Sequence, residues 1–170
     1  MLLTKQQKYL LAALEKLGCA ELRQLAALLQ KTFAFSALDD AMRVTNACVR
    51  QMQVGGLLQI SENTITHIND YVNREMITAT AVMLELSAAK PENFCAVDRH
   101  ILLRFSLGEP DFKQFAIVSG SAPPPERELS QNETIIVLLP NGANPELSYT
   151  RPIIFAIRQE NGTHRFFARK

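Results

Sequence analysis

The 170-residue chain lacks a cysteine framework, a long hydrophobic run and an excess of charge of either sign. Its three cysteines, Cys19, Cys48 and Cys95, are odd in number, far apart and form no CxxC, which excludes a disulfide scaffold. Cys19 and Cys48 fall in apolar helical patterns and read as small buried hydrophobes. No apolar run approaches the roughly 18 residues of a membrane span. The opening "MLLTKQQKYLLAAL" has no basic segment leading into a long apolar stretch and a cleavage site. The expectation is a cytoplasmic protein outside the membrane. The formal net charge is +1. Residues 1–90 hold 9 Lys+Arg and 8 Asp+Glu, and residues 91–170 hold 9 and 9, so neither half is a basic arm or an acidic tail. Any nucleic-acid face must therefore come from local placement of a few residues.

Catalytic signatures are missing too. There is no HExxH, GxSxG, Walker A loop or GxGxxG. His67, His100 and His164 have no Cys, His or carboxylate at metal-ligand spacing, and each reads as a surface or partly buried histidine. The serines of "SGSAPPPE" have no base that the sequence can point to. No catalytic residue, metal ligand, cofactor or small-molecule ligand is assigned.

What is present is apolar material for a core, 47% of residues against 21% charged. Thr4 can cap a first helix in which Tyr9, Leu10, Ala13, Leu14 and Leu17 recur at helical spacing, ended by Gly18. "CAELRQLAALLQ" suits a second helix, and "KTFAFSALDD" breaks it. A third helix over about 37–54, capped by Ser36, has Leu38, Met42, Thr45, Val49 and Met52 on one stripe. Arg43, Asn46, Arg50 and Gln53 lie on another. Gly55-Gly56 stops it, and "LLQI" and "ITHI" around "SENT" predict a hairpin. A fourth helix is expected over 72–89, with Val72, Met76, Ala79, Met83 and Leu86 as its stripe, and "KPEN" reads as a linker. Beyond it, "HILLRFSL", "KQFAIVSG", "ETIIVLLP", "PIIFAIRQ" and "HRFFAR" predict about five strands. "TIIVLL" is the central one and Asn161-Gly162 the last hairpin turn.

The order helix, helix, helix, Gly-Gly, hairpin resembles a winged helix-turn-helix domain over roughly residues 4–70. "AELRQLAALLQ" matches its second helix, "ALDDAMRVTNACVRQMQV" its recognition helix and "GGLLQISENTITHI" the turn into the wing. The resemblance implies that Arg43, Asn46, Arg50 and Gln53 face the major groove, where Arg reads guanine and Asn or Gln adenine. Lys31, Asn63 and Thr64 would touch phosphate or sugar. Three features oppose it. Asp39 and Asp40 lie in the first turn of that helix, Glu62 sits at the wing tip, and the link between helices two and three is long for a helix-turn-helix. The same stripe can equally be a solvated face or meet a protein partner.

A small sheet domain after a winged helix is similar to winged-helix proteins of bacterial mobile elements. These include the replication-relaxation group and relatives with a degenerate restriction-endonuclease-like second domain. A nuclease needs an acidic residue and then a separate Asp/Glu-x-Lys to hold Mg²⁺ and activate water. "EPDFKQF" offers Pro110-Asp111 and Asp111-Phe112-Lys113, but one Asp cannot serve as both halves, and the later Lys is Lys170. The expected protein is α+β. A winged helix occupies residues 1–70, a connecting helix and linker 71–93, and a small α/β sheet domain of about five strands 94–170. Its expected partner is double-stranded DNA, and the helix at 72–89 either forms a homodimer or packs within the monomer as a bridge to the sheet domain. The runner-up function is a protein-interaction module on the same scaffold, and the third a nuclease with an unrecognised site.

Overall fold

The computed structural model describes residues 2–68, 70–98, 100–108, 113–140 and 149–169. Among them the chain is a mixed α+β protein with four α-helices and two sheets, of three and six strands. It divides into two compact units, Met1–Thr80 and Ala81–Lys170, with the boundary inside the fourth helix.

In the first unit, α1 (Lys5–Leu17) starts at a reciprocal cap. The Gln7 N–H donates to Thr4 Oγ1 at 3.2 Å, and the Thr4 N–H donates to Gln7 Oε1 at 2.9 Å. Gly18, at φ +74°, supplies the backbone reversal that ends it. Cys19–Glu21 is not the start of a helix but a short strand, β1. Its register, Cys19 with Thr66, Ala20 with Ile65 and Glu21 with Thr64, shows that pairing across the unit overrides the local helical pattern.

Helix α2 (Leu22–Phe33) runs past the predicted break, because Phe33 packs edge-on against Tyr9 with ring centroids 5.8 Å apart. Ala34, in the left-handed region, ends it. The link to α3 (Leu38–Val54) is therefore Ala34–Ala37, four residues, and shorter than expected. Ala37, not Ser36, is the α3 N-cap, with no side-chain cap, while Asp39 and Asp40 place negative charge in the first turn. Buried on α3 are Ala41, Thr45, Cys48, Val49 and Met52; Leu38 and Met42 are half-buried. With Leu10, Leu14, Leu17, Leu25, Leu28 and Leu29 they form the core of the unit. Each such large side chain contributes about 1.5–3 kcal/mol by leaving water.

Strands β2 (Leu58–Ser61) and β3 (Thr64–His67) form the hairpin, turning at Glu62-Asn63, and the sheet order is β1-β3-β2. Helix α4 is Arg74–Leu86, shorter than predicted. Its start is fixed by Asn73, whose Oδ1 accepts the Met76 N–H at 3.1 Å, which leaves Val72 outside the helix and exposed. Near its end the Ser87 hydroxyl donates to Met83 O at 2.6 Å.

The second unit holds the six-stranded sheet, in the order of the chain: β4 (Glu92–Ala96), β5 (Ile101–Leu107), β6 (Lys113–Ser119), β7 (Glu133–Leu139), β8 (Ile153–Arg158) and β9 (His164–Arg169). β4 falls where a linker was expected. It pairs with β5 through a register shift between Glu92 and Cys95, an irregularity that hides a strand from pattern reading. Pairs β6–β7 and β7–β8 are parallel, the rest antiparallel. Ile135–Leu139 are buried without alternation, as a strand covered on both faces requires. Ile101, Ala116, Val118, Ile135, Val137, Leu139, Ile153 and Phe155 make one core cluster, closed by Leu129. The β6–β7 crossover contains a 3-10 turn, Glu126–Glu128, in place of an α-helix. Arg151 pins it, with Nη2 donating to Leu129 O at 3.2 Å and Nε 3.4 Å from Glu126 Oε1. Among the described residues no helix is long and apolar enough to cross a membrane.

Candidate nucleic-acid interface

The open face of α3 is set by helical rotation. Taking Arg43 as zero and about 100° per residue, Arg50 falls near −20°, Asn46 near −60° and Gln53 near −80°. The buried set, centred on Met52 and Ala41, lies opposite. Arg43, Arg50 and Gln53 are exposed and Asn46 is half-buried, so these four do share one accessible face. About 10 Å of helix rise separates Arg43 from Arg50.

The same face carries its own neutralisation. The Arg43 guanidinium pairs with the Asp40 carboxylate one turn earlier, with the two side chains 80% and 41% exposed. Asp39 lies on the same stripe. Two arginines and two aspartates cancel. The i, i+3 spacing of the pair was legible in the sequence, where Asp39 and Asp40 were read as opposing DNA contact rather than as partners of Arg43.

The other predicted contacts stand apart from α3 in the chain. Lys31 is in the last turn of α2 and half-buried. Asn63 is exposed at the hairpin turn, where its carbonyl accepts the Leu22 N–H at 3.1 Å and so ties the turn to the start of α2. Thr64 opens β3, paired with both Ser61 and Glu21. Glu62 occupies the tip at φ +55°.

At the far end of α3 the surface changes character. Arg50, Gln51 and Val54 join Leu2, Thr4 and Gln7 around an open depression of about 440 Å³. Val54 and Leu2 are 91% and 99% exposed. Gln7 Nε2 donates to Gln51 Oε1 at 2.8 Å, fixing α1 to α3. Nothing in the apolar pattern of α3 singled out Val54 as exposed, because it is the last residue of the helix.

In the sheet unit the notable pair is Glu85 and His164. His164 Nδ1–H donates to Glu85 Oε1 at 2.8 Å and its backbone N–H donates to Glu85 Oε2 at 3.0 Å. The imidazole is buried, and its Nε2 has no hydrogen-bond partner among the described residues. His164 is thus buried and held by a carboxylate 79 residues away, which spacing along the chain could not reveal. His100 Nδ1 lies 3.0 Å from Ala122 O, and His67 is in β3. The Pro110-Asp111 half of the nuclease pattern lies outside the described residues. Among the described residues no three His, Cys, Asp or Glu converge as a metal site would need. No protein-family model, curated protein or solved structure matches this chain.

Proposed function

We propose that the first unit is a winged helix that binds double-stranded DNA through α3. The protein is then a non-enzymatic regulator of transcription or replication, of the kind found in bacterial mobile elements. The observation that carries this reading is the order α1-β1-α2-α3-β2-β3 with a four-residue link between α2 and α3. Such a link is what a helix-turn-helix needs, and it removes one objection raised by the sequence. The order leaves Arg43, Asn46, Arg50 and Gln53 on the accessible side of α3, where Arg suits guanine and Asn or Gln suits adenine. Lys31, Asn63 and Thr64 are assigned the flanking backbone contacts. A pair of copies joined through α4 would offer two such helices to two half-sites. The sheet unit is read as a nuclease-like scaffold without a working site.

A second reading has its own observation. The α3 face is formally neutral, and exposed Val54 and Leu2 flank Arg50. That combination suits a protein partner on a winged-helix scaffold.

Binding of a fluorescent duplex across a salt series separates the two. The DNA reading expects affinity that falls with salt and is lost in the Arg43→Ala/Arg50→Ala double variant. Absent or salt-insensitive binding, or a double variant that behaves like wild type, leaves the protein-partner reading in its place.

A further inference from the structure

We infer that Asp40 sets the DNA selectivity of α3, by holding Arg43 in an ion pair that a guanine edge displaces and a phosphate alone does not. This rests on the DNA-binding reading above. The pair is exposed on both sides, so it is weak and exchangeable rather than structural. Arg43 nevertheless sits at the edge of the stripe that would meet DNA, with Asp39 on that stripe and Asp40 about 60° to the side of Arg43. The segment from Gln51 to Tyr71, hairpin included, adds Glu62 and Asp70 and no Lys or Arg. The sequence-independent attraction to phosphate is therefore small on this face.

Two competing states follow for Arg43. Against a random duplex, a phosphate could take Arg43 only by leaving Asp40 uncompensated near the DNA backbone, so the ion pair holds. Against guanine, the guanidinium makes two parallel hydrogen bonds to O6 and N7, which outweigh an exposed single pair. The released Asp40 can then accept from a cytosine N4 amine, a major-groove donor that matches a carboxylate. Asp40 thus penalises the wrong site more than the right one, which is how discrimination is built without high overall affinity.

The test uses the full chain and two probes, a pooled random-sequence duplex and a duplex enriched from that pool by the wild-type protein. Asp40→Asn is expected to raise affinity for the random duplex about tenfold and to steepen the salt slope by about one, as a freed Arg contacting phosphate should. Affinity for the enriched duplex is expected to change much less, so the selectivity ratio falls about tenfold. Asp39→Asn, which breaks no ion pair with Arg43, is expected to give a smaller change. The gain should vanish when Arg43→Ala is added, because the freed arginine is its source. An equal gain on both duplexes, or a gain that survives Arg43→Ala, overturns the proposal in favour of plain charge repulsion. Wild-type binding with an unchanged Asp40→Asn variant sinks the role of Asp40 and leaves DNA binding standing. No salt-dependent binding by either protein removes both.

Discussion

The Gln24 side chain holds two elements at once: its Oε1 accepts the Glu21 N–H at 3.0 Å, and its Nε2 donates to Ile77 O at 2.7 Å. Gln7 does the same at the start of α1, accepting from Thr4 and donating to Gln51 of α3. Both are buried and both occupy the third position of a helix, where glutamate serves equally well as a cap. Glutamine is distinguished there by its donor.

Gln24→Glu tests that distinction. The variant keeps the capping acceptor, loses the donor and sets a carboxylate against the Ile77 carbonyl. It is expected to destabilise the first unit by about 1–3 kcal/mol, the cost of an unsatisfied or repelled buried polar group. Urea denaturation followed by far-ultraviolet dichroism reads it. Wild-type stability would show that the tether to α4 contributes nothing.

Glu85 and His164 make a similar case in the sheet unit. Glu85→Ala leaves a buried backbone N–H and a buried imidazole N–H unpaired, and is expected to cost about 2–3 kcal/mol. Glu85→Gln keeps one acceptor oxygen and should fall between the variant and wild type. If the two variants prove equally stable, the clasp on β9 is incidental.

Asp98 is one source of acid sensitivity. Its carboxylate accepts the Ile101 N–H at 2.8 Å and the His100 N–H at 2.7 Å, and these two bonds hold its pKa below the usual aspartate value. A depressed folded pKa adds stability above the unfolded pKa, and that stability is lost as pH falls through the folded value. The stability gap between wild type and Asp98→Ala should therefore be level near neutrality and shrink below about pH 4. Denaturation midpoints measured from pH 7 to pH 2 decide it, and a gap that stays constant in acid counts against the turn.

The cysteines should separate by reactivity. Cys95 is exposed on β4, whereas Cys19 and Cys48 are buried, and burial pushes both of their thiols up. Cys19 Sγ also sits between the Asn73 carbonyl, at 3.4 Å, and the Asn73 N–H, at 3.3 Å. A thiol reagent on the folded protein is expected to modify one equivalent quickly, lost in Cys95→Ser, with the others reacting on unfolding. Two fast equivalents would place Cys19 or Cys48 in reach of solvent.

Legibility followed the range of the interactions. Helices α1 and α3, the hairpin and five strands of the sheet have period, caps and turn residues within one window, and sequence reading located them. β1 was hidden because Cys19–Glu21 becomes a strand only when Thr64–Thr66 arrives beside it. β4 was hidden by its irregular register with β5. The α3 face was legible because rotation along a helix is arithmetic, but the link before it was judged too long, since the Phe33–Tyr9 contact that extends α2 is not local. Glu85 with His164 had no trace in the sequence at all.

The six-stranded sheet has a spatial order identical to its order along the chain. As the polypeptide is synthesised, each strand therefore meets an edge already laid down, and none has to be inserted between two others. Such growth keeps the contacts of the sheet short in sequence separation, which favours rapid assembly. Glu85 is the exception: it is made before any of the strands and waits for the last, whose His164 it grips. Until β9 is in place, Ile153–Arg158 is an unpaired edge, the segment a chaperone or a second chain would find first.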